Sequence, residues 1–364
     1  MFGHPGIKGF SFSMAILLSL TCPSAAQDGK PLSQAVAVPT LESLPHVALP
    51  SGAFKTWCGR SDRFLLDANG QLEAYDAGVK SATIAVSSSW PVRCSQDGKQ
   101  LVYVDTNMGY LTQVDIATGN SRLLASYTPA PGVISPVFSP DLKAVATITP
   151  LTPAPETTRL KVLVIKEKAH FIKWSDDSSR LLVNYSSTVQ VLDTNGATIG
   201  SGPLPPRKYL EGGWFATDLD AVILYLASTA KDDNAVVRCR IKEWKCDPLK
   251  SRSDSVSVGG HGVIGIIAPL GKPPPPSGRD EDDPPVFDKY TAELRDGAFK
   301  LRARQVFLTA AGKADYEIYV APSGRKMVLT WHAQPGPNCP ASDASYCASG
   351  ILVDISRVFN ERSE

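Results

Sequence analysis

An all-β architecture built from repeated small sheets is what this sequence predicts, on three observations. A pattern of large or apolar anchor, Ser/Asp turn, apolar strand, second strand and closing turn recurs along the chain. Its anchors, Cys58, Cys94, Phe138, Trp174, Phe215, Val258 and Val320, stand 36, 44, 36, 41, 43 and 62 residues apart. No convincing helical period appears between the N-terminal stretch and the C-terminus, whereas Pro (29) and Gly (28) are scattered throughout, as a chain of many turns requires. One four-stranded sheet has two faces to cover and cannot bury both alone. Sheets repeating at about 40 residues therefore stack face to face around an axis. The expected fold is a β-propeller of seven four-stranded blades, with six or eight left open.

The chain begins with an address. Lys8 supplies a positive region, "MAILLSL" (14–20) a short apolar run, and "PSAAQ" small residues before Gln27. That is the layout of a secretory signal peptide over 1–26, cleaved after Ala26. A lipoprotein signal ending at Cys22 fits less well, because "SLTC" places Thr where a small Gly or Ala is wanted. Residues 27–45 form an N-terminal segment. The propeller then spans 46–358, with an insertion loop at 270–287 and a tail at 359–364. Either "QAVAVPTL" (34–41) or "HVALP" (46–50) would supply the last blade's missing outer strand and so close the ring, removing a free edge.

The blades read in order. The first, from Cys58, is "CGRSDRFLLDANGQLEAYDAG", and the second, from Cys94, is "CSQDGKQLVYVDTNMGYLTQVDIATGN". Alternation supports strands: in "LTQVDIATG", Leu111, Gln113 and Asp115 share one side, and Val114 and Ile116 the other. "FSPDLKAVATITP" with "RLKVLVIKEK" makes the third, and "WSDDSSRLLVNYSSTVQVLDTNG" the fourth. The fifth is "FATDLDAVILYLAS" with "NAVVRCRIKEW", and the weaker sixth and seventh begin at Val258 and Val320. Asp, Asn and Gly at the reversals provide tight turns without strain.

On "FSPD" (138–141), "WSDD" (174–177) and "SQDG" (95–98), with "VLDTNG" (191–196) and "VDIATG" (114–119), the chain resembles the TolB-like and WD40-like propellers of bacterial envelope proteins. The resemblance implies a periplasmic scaffold that binds protein or glycan partners. It identifies no catalytic residue.

Removing the leader leaves Cys58, Cys94, Cys239, Cys246, Cys339 and Cys347. An even count in an exported chain argues for disulfides, although six cysteines allow about 15 pairings. "CRIKEWKC" (239–246) sits where two strands turn back, bringing its ends into disulfide range, and "CPASDASYC" (339–347) would close a loop. Cys58 and Cys94 then pair on neighbouring blades. With no CxxC and no clustered histidine, no metal or other cofactor is expected.

Composition excludes some roles. The formal charge of +1 gives no electrostatic footprint for nucleic acid. No stretch approaches the apolar length of a transmembrane helix, so none is expected in the mature chain. GxSxG is absent, and nothing in one dimension pairs two carboxylates for glycoside cleavage. Candidate binding residues are few. Trp244 lies at the tip of the 239–246 hairpin, where an exposed Trp makes a partner hot spot. Asp280, Glu281, Asp282 and Asp283 form an acidic run in the insertion, without the alternating ligands and turn glycine of a calcium loop. His261 ("GGHGV") and His332 ("LTWHA") are the histidines best placed for a channel mouth.

The expected function is recognition: an exported scaffold, monomeric or part of a complex, holding an envelope protein or glycan. The rivals are a polysaccharide hydrolase or lyase with its site at a channel mouth, and a structural subunit of an envelope complex. The balance leans away from an enzyme.

Overall fold

Seven small sheets account for nearly all regular structure in the computed structural model, which describes residues 38–50, 52–155, 160–166, 168–228, 234–271, 289–308, 316–332 and 348–359. The leader, the acidic run 280–283, and Cys339 with Cys347 lie outside these residues. Five sheets have four strands. Blade 1 comprises Ala53–Cys58, Arg63–Ala68, Gln71–Asp76 and Val79–Ser87, and blade 4 comprises Phe171–Trp174, Arg180–Tyr185, Thr188–Asp193 and Thr198–Pro203. Blades 5 and 6 begin with innermost strands Lys208–Phe215 and Ser255–Val258. The insertion falls between the second and third strands of blade 6, Ile264–Pro269 and Lys289–Arg295.

Every anchor read from the sequence is the last residue of an innermost strand: Ala53–Cys58, Val92–Cys94, Val137–Phe138, Phe171–Trp174, Lys208–Phe215, Ser255–Val258 and Tyr316–Val320. The turn that follows explains the Ser-x-Asp signature. In blade 4, Ser175 Oγ donates to Asp177 Oδ1 (2.6 Å) and accepts from Arg180 N (2.9 Å), while Ser179 N donates to Asp177 Oδ1 (3.0 Å). Ser95 with Asp97, and Ser139 with Asp141, repeat this arrangement at the same 2.6 Å.

The strand Arg180–Tyr185 shows why the sheets must stack. Leu181 and Val183 bury with Ala144, Ala146 and Trp174 toward blade 3, while Leu182 buries with Val222 and Leu224 toward blade 5. Both faces are covered, so the strand reads as a near-continuous apolar run rather than a strict alternation. The ring closes through His46–Ala48, which pairs antiparallel with Ala348–Asp354 as the outer strand of blade 7. Of the two closing segments weighed, "HVALP" is the one used. Phe64 and Leu66 of blade 1 meet Val328 and Leu352 of blade 7 in one cluster, and Trp57 Nε1 donates to Tyr319 O (3.2 Å) across the same seam.

Blades 2 and 3 depart from the expected four strands. Thr152–Pro153 leaves blade 3 and adds a fifth strand to the edge of blade 2, beside Ser121–Ser126. The chain then returns as Lys161–Val164, parallel to Ala144–Thr147, so blade 3 has three strands. The cause is "TPLTPAP": proline cannot donate to a ladder, which confines such a stretch to a sheet edge. A parallel return also needs a longer crossover than a hairpin provides.

Two cysteine pairs stand at disulfide distance. Cys58 and Cys94, with Cα atoms 4.9 Å apart, join the ends of the first two innermost strands. Cys239 and Cys246, 3.9 Å apart, face each other across two strands of blade 5. No helix among the described residues is long and apolar enough to cross a membrane.

Candidate functional site

The innermost strands run in one direction, so the turns after the anchors gather on one face of the disc. Two concavities open there. The larger, about 730 Å³, spans the turns of blades 5, 6 and 7 and is lined by Thr217, Asp218, His261, Asp296, Arg302 and Ser323 among others. His261 belongs to the wall of this groove. It sits in a short turn, Gly260–Gly262, with φ of 55°, followed by Gly262 at 70°. Gly262 is required twice over, because its φ disfavours a side chain and a Cβ would come 2.7 Å from Thr217 Oγ1.

Both groove carboxylates are already engaged. Asp218 Oδ2 accepts from Arg238 Nη2 at 3.1 Å, and Asp296 Oδ2 meets Arg302 Nη2 at 2.7 Å. Burial acts to raise Asp296, but the Lys300 backbone N–H and the Arg302 guanidinium outweigh it and hold the carboxyl below the usual range. Asp296 is thus the opposite of the raised, protonated carboxyl that serves as a glycosidase's general acid. The groove therefore offers fixed charges and hydrogen-bonding groups for binding.

The second concavity, about 190 Å³, is the turn-face mouth of the central channel. Six of the seven residues that immediately precede an anchor line it: Trp57, Arg93, Lys173, Trp214, Ser257 and Tyr319. The seventh equivalent, Val137, packs instead with the blade 3–blade 4 cluster. Lys173 Nζ lies 5.1 Å from the centroid of the Trp214 ring. Gly212 makes room for that ring, since a Cβ there would stand 2.6 Å from Trp214 Cη2. Burial, and next the Arg93 charge, push Lys173 down to about 8, with Asp176 opposing. Burial likewise lowers Arg93.

The remaining candidates fall elsewhere. Trp244 is half-buried, and its indole lies over blade 4 where a Cβ on Gly202 would collide with it. Its Nε1 has no hydrogen-bond partner among the described residues. The Trp244 ring thus folds onto the neighbouring blade, while Lys242, Glu243 and Lys245 around it are exposed. His332 ends the second strand of blade 7, and its side chain lies outside the described set, as does the whole 280–283 run. No group of three or more His, Cys, Asp or Glu able to hold a metal occurs among the described residues. Arg93 and Lys173 escaped the sequence reading because it sought histidines and carboxylates. Aligning the seven copies and stepping back one position from each anchor would have found them.

No family model and no curated protein matches the chain. Among solved structures it is similar to the β-propeller domain of Cps50 (Swd1) from Myceliophteria thermophila, with a TM-score of 0.54 and 10% identity over 85% of this chain and 99% of that one. It also matches the C-terminal WD40 domain of Sif2, with a TM-score of 0.47 and 10% identity over 85% of this chain and 81% of that one. At such identity the first likeness establishes a β-propeller fold and nothing about chemistry.

Proposed function

We propose that this chain is an exported recognition scaffold whose turn face binds a protein or glycan partner in the cell envelope. The observation that carries the reading is the groove across blades 5 to 7: a preformed concavity of about 730 Å³ whose two carboxylates, Asp218 and Asp296, are each paired with an arginine. Backbone turns on rigid, stacked sheets present such a surface with little ordering cost on binding. Export is supported by the leader-like sequence and by two cysteine pairs at disulfide distance, since disulfides persist in oxidising compartments. The TolB-like turn signatures fit an envelope role.

The test is affinity purification of the tagged mature protein from its native envelope, in parallel with Ala298→Arg. Ala298 is exposed in the groove wall, and the larger side chain would project into the groove. The reading expects a partner recovered at fixed ratio with the wild type and lost with A298R. Equal recovery with both proteins, or turnover in a glycan screen without a partner, would overturn it.

A further inference from the structure

The channel mouth has a charge imbalance that the groove lacks. Lys55, Arg60, Arg93 and Lys173 line it, against a single carboxylate, Asp176. Among the described residues neither the Arg93 guanidinium nor the Lys173 ammonium has a hydrogen bond or ion pair. Asp176 acts on both only at longer range. Isolated cations in a confined, partly dehydrated site are unfavourable unless their donors are satisfied.

We propose that the turn-face mouth of the central channel binds an oxyanion, a carboxylate or phosphate group, between Arg93 and Lys173. The donors suit this ligand: a planar guanidinium matches two oxygens of one anion, and an ammonium supplies a point charge beside it. Preorganisation comes from the fold. Arg93 and Lys173 occupy equivalent positions on blades 2 and 4, Cys94 ties the Arg93 strand to blade 1, and the Trp214 face supports the ammonium. A volume of about 190 Å³ limits the occupant to one small anion or one terminal acidic unit, well below the roughly 300–1,000 Å³ of drug-sized sites. The walls contributed by Trp57, Trp214 and Tyr319 leave an apolar surface against which a sugar ring carrying the acid would stack. The lowering of Lys173 by burial is consistent, because a bound anion would favour its charged form and oppose that lowering. The inference goes beyond the scaffold reading and stands whether or not the groove holds a partner.

The experiment is calorimetric titration and thermal unfolding of the mature protein with inorganic phosphate, D-glucuronate and D-glucose, using sodium chloride at matched ionic strength as control. Wild type, Lys173→Met and Arg93→Gln are compared, so that failure of one variant to fold leaves the other to decide. Phosphate or glucuronate should bind and raise the melting temperature, glucose should not, and each variant should weaken binding about ten-fold or more. Response to phosphate assigns a bare oxyanion, and response to glucuronate alone assigns a sugar-borne carboxylate. No response to either anion, an equal effect of sodium chloride, or undiminished binding by both variants would overturn the proposal.

Discussion

Lys173 Nζ rests 5.1 Å from the centroid of the Trp214 ring, a blade 4 ammonium on a blade 5 aromatic face inside the channel. The contact offsets part of the cost of holding a cation there, yet burial still pushes Lys173 from its ordinary 10.5 down to about 8. The proposed anion binding and the stability of the fold pull in opposite directions at this residue.

Replacing Lys173 by Met should therefore stabilise the protein at pH 7. The depression from 10.5 to about 8 corresponds to a ceiling of about 3 kcal/mol, which water in the channel reduces. The folded pKa is depressed for a base, so the penalty is full below pH 8 and is relieved as pH rises toward 10.5. Denaturant unfolding of wild type and K173M from pH 7 to 10 should show a gain of about 1–3 kcal/mol that shrinks with pH. Arg93, Asp176, Lys55 and Arg60 face the same space, and only Lys173 differs between the two proteins.

The two cysteine pairs should contribute unequally. The Cys58–Cys94 link spans 36 residues and the Cys239–Cys246 link spans 7. Loop-closure entropy assigns about 4 kcal/mol to the first and about 2 kcal/mol to the second. Equilibrium unfolding of C58A/C94A and C239A/C246A checks the ranking.

Ser175→Ala removes a hydroxyl that is 1% exposed, donates to Asp177 and accepts from Arg180 N. A loss of about 1–3 kcal/mol is expected from the unsatisfied turn. Ser139→Ala should match it, because Ser139 makes the same bonds in blade 3.

Asp354 governs acid stability at the closing blade. Burial acts to raise its pKa, but Lys326 Nζ at 2.7 Å and the Ser356 hydroxyl bring it down to about 2. For a depressed carboxylate the stabilisation is present above pH 4 and is lost as pH falls toward 2. Asp354→Asn should cost about 1–2 kcal/mol at neutral pH, and thermal scans at pH 2 should find little difference from wild type.

Much of this fold is legible in the chain because one physical requirement repeats. Each innermost strand must end at a Ser/Asp or Gly turn beside a residue that fills the space between sheets, and that marks Cys58 through Val320 in one dimension. Blade 3 was not legible in that way: "ITPLTPAP" preserves strand-like residues on both sides, and only the partner edge of blade 2 decides where Thr152–Pro153 pairs. The position of the Trp244 ring is not legible for a related reason. A hairpin tip among charges reads as exposed, and nothing local shows that Gly202 on the next blade leaves a berth for its ring. The channel lining is written at a fixed offset from each anchor, but becomes a site only once Arg93 and Lys173, 80 residues apart in sequence, face one axis.

In-cell photocrosslinking tests the central claim most directly. A photoreactive amino acid is placed at Ala298 in the turn-face groove, or at Val79, which is 71% exposed on the outer strand of blade 1. If the turn face is the recognition surface, position 298 should yield a discrete crosslinked species in the envelope and position 79 none. Crosslinks from position 79 with none from position 298 would contradict the account.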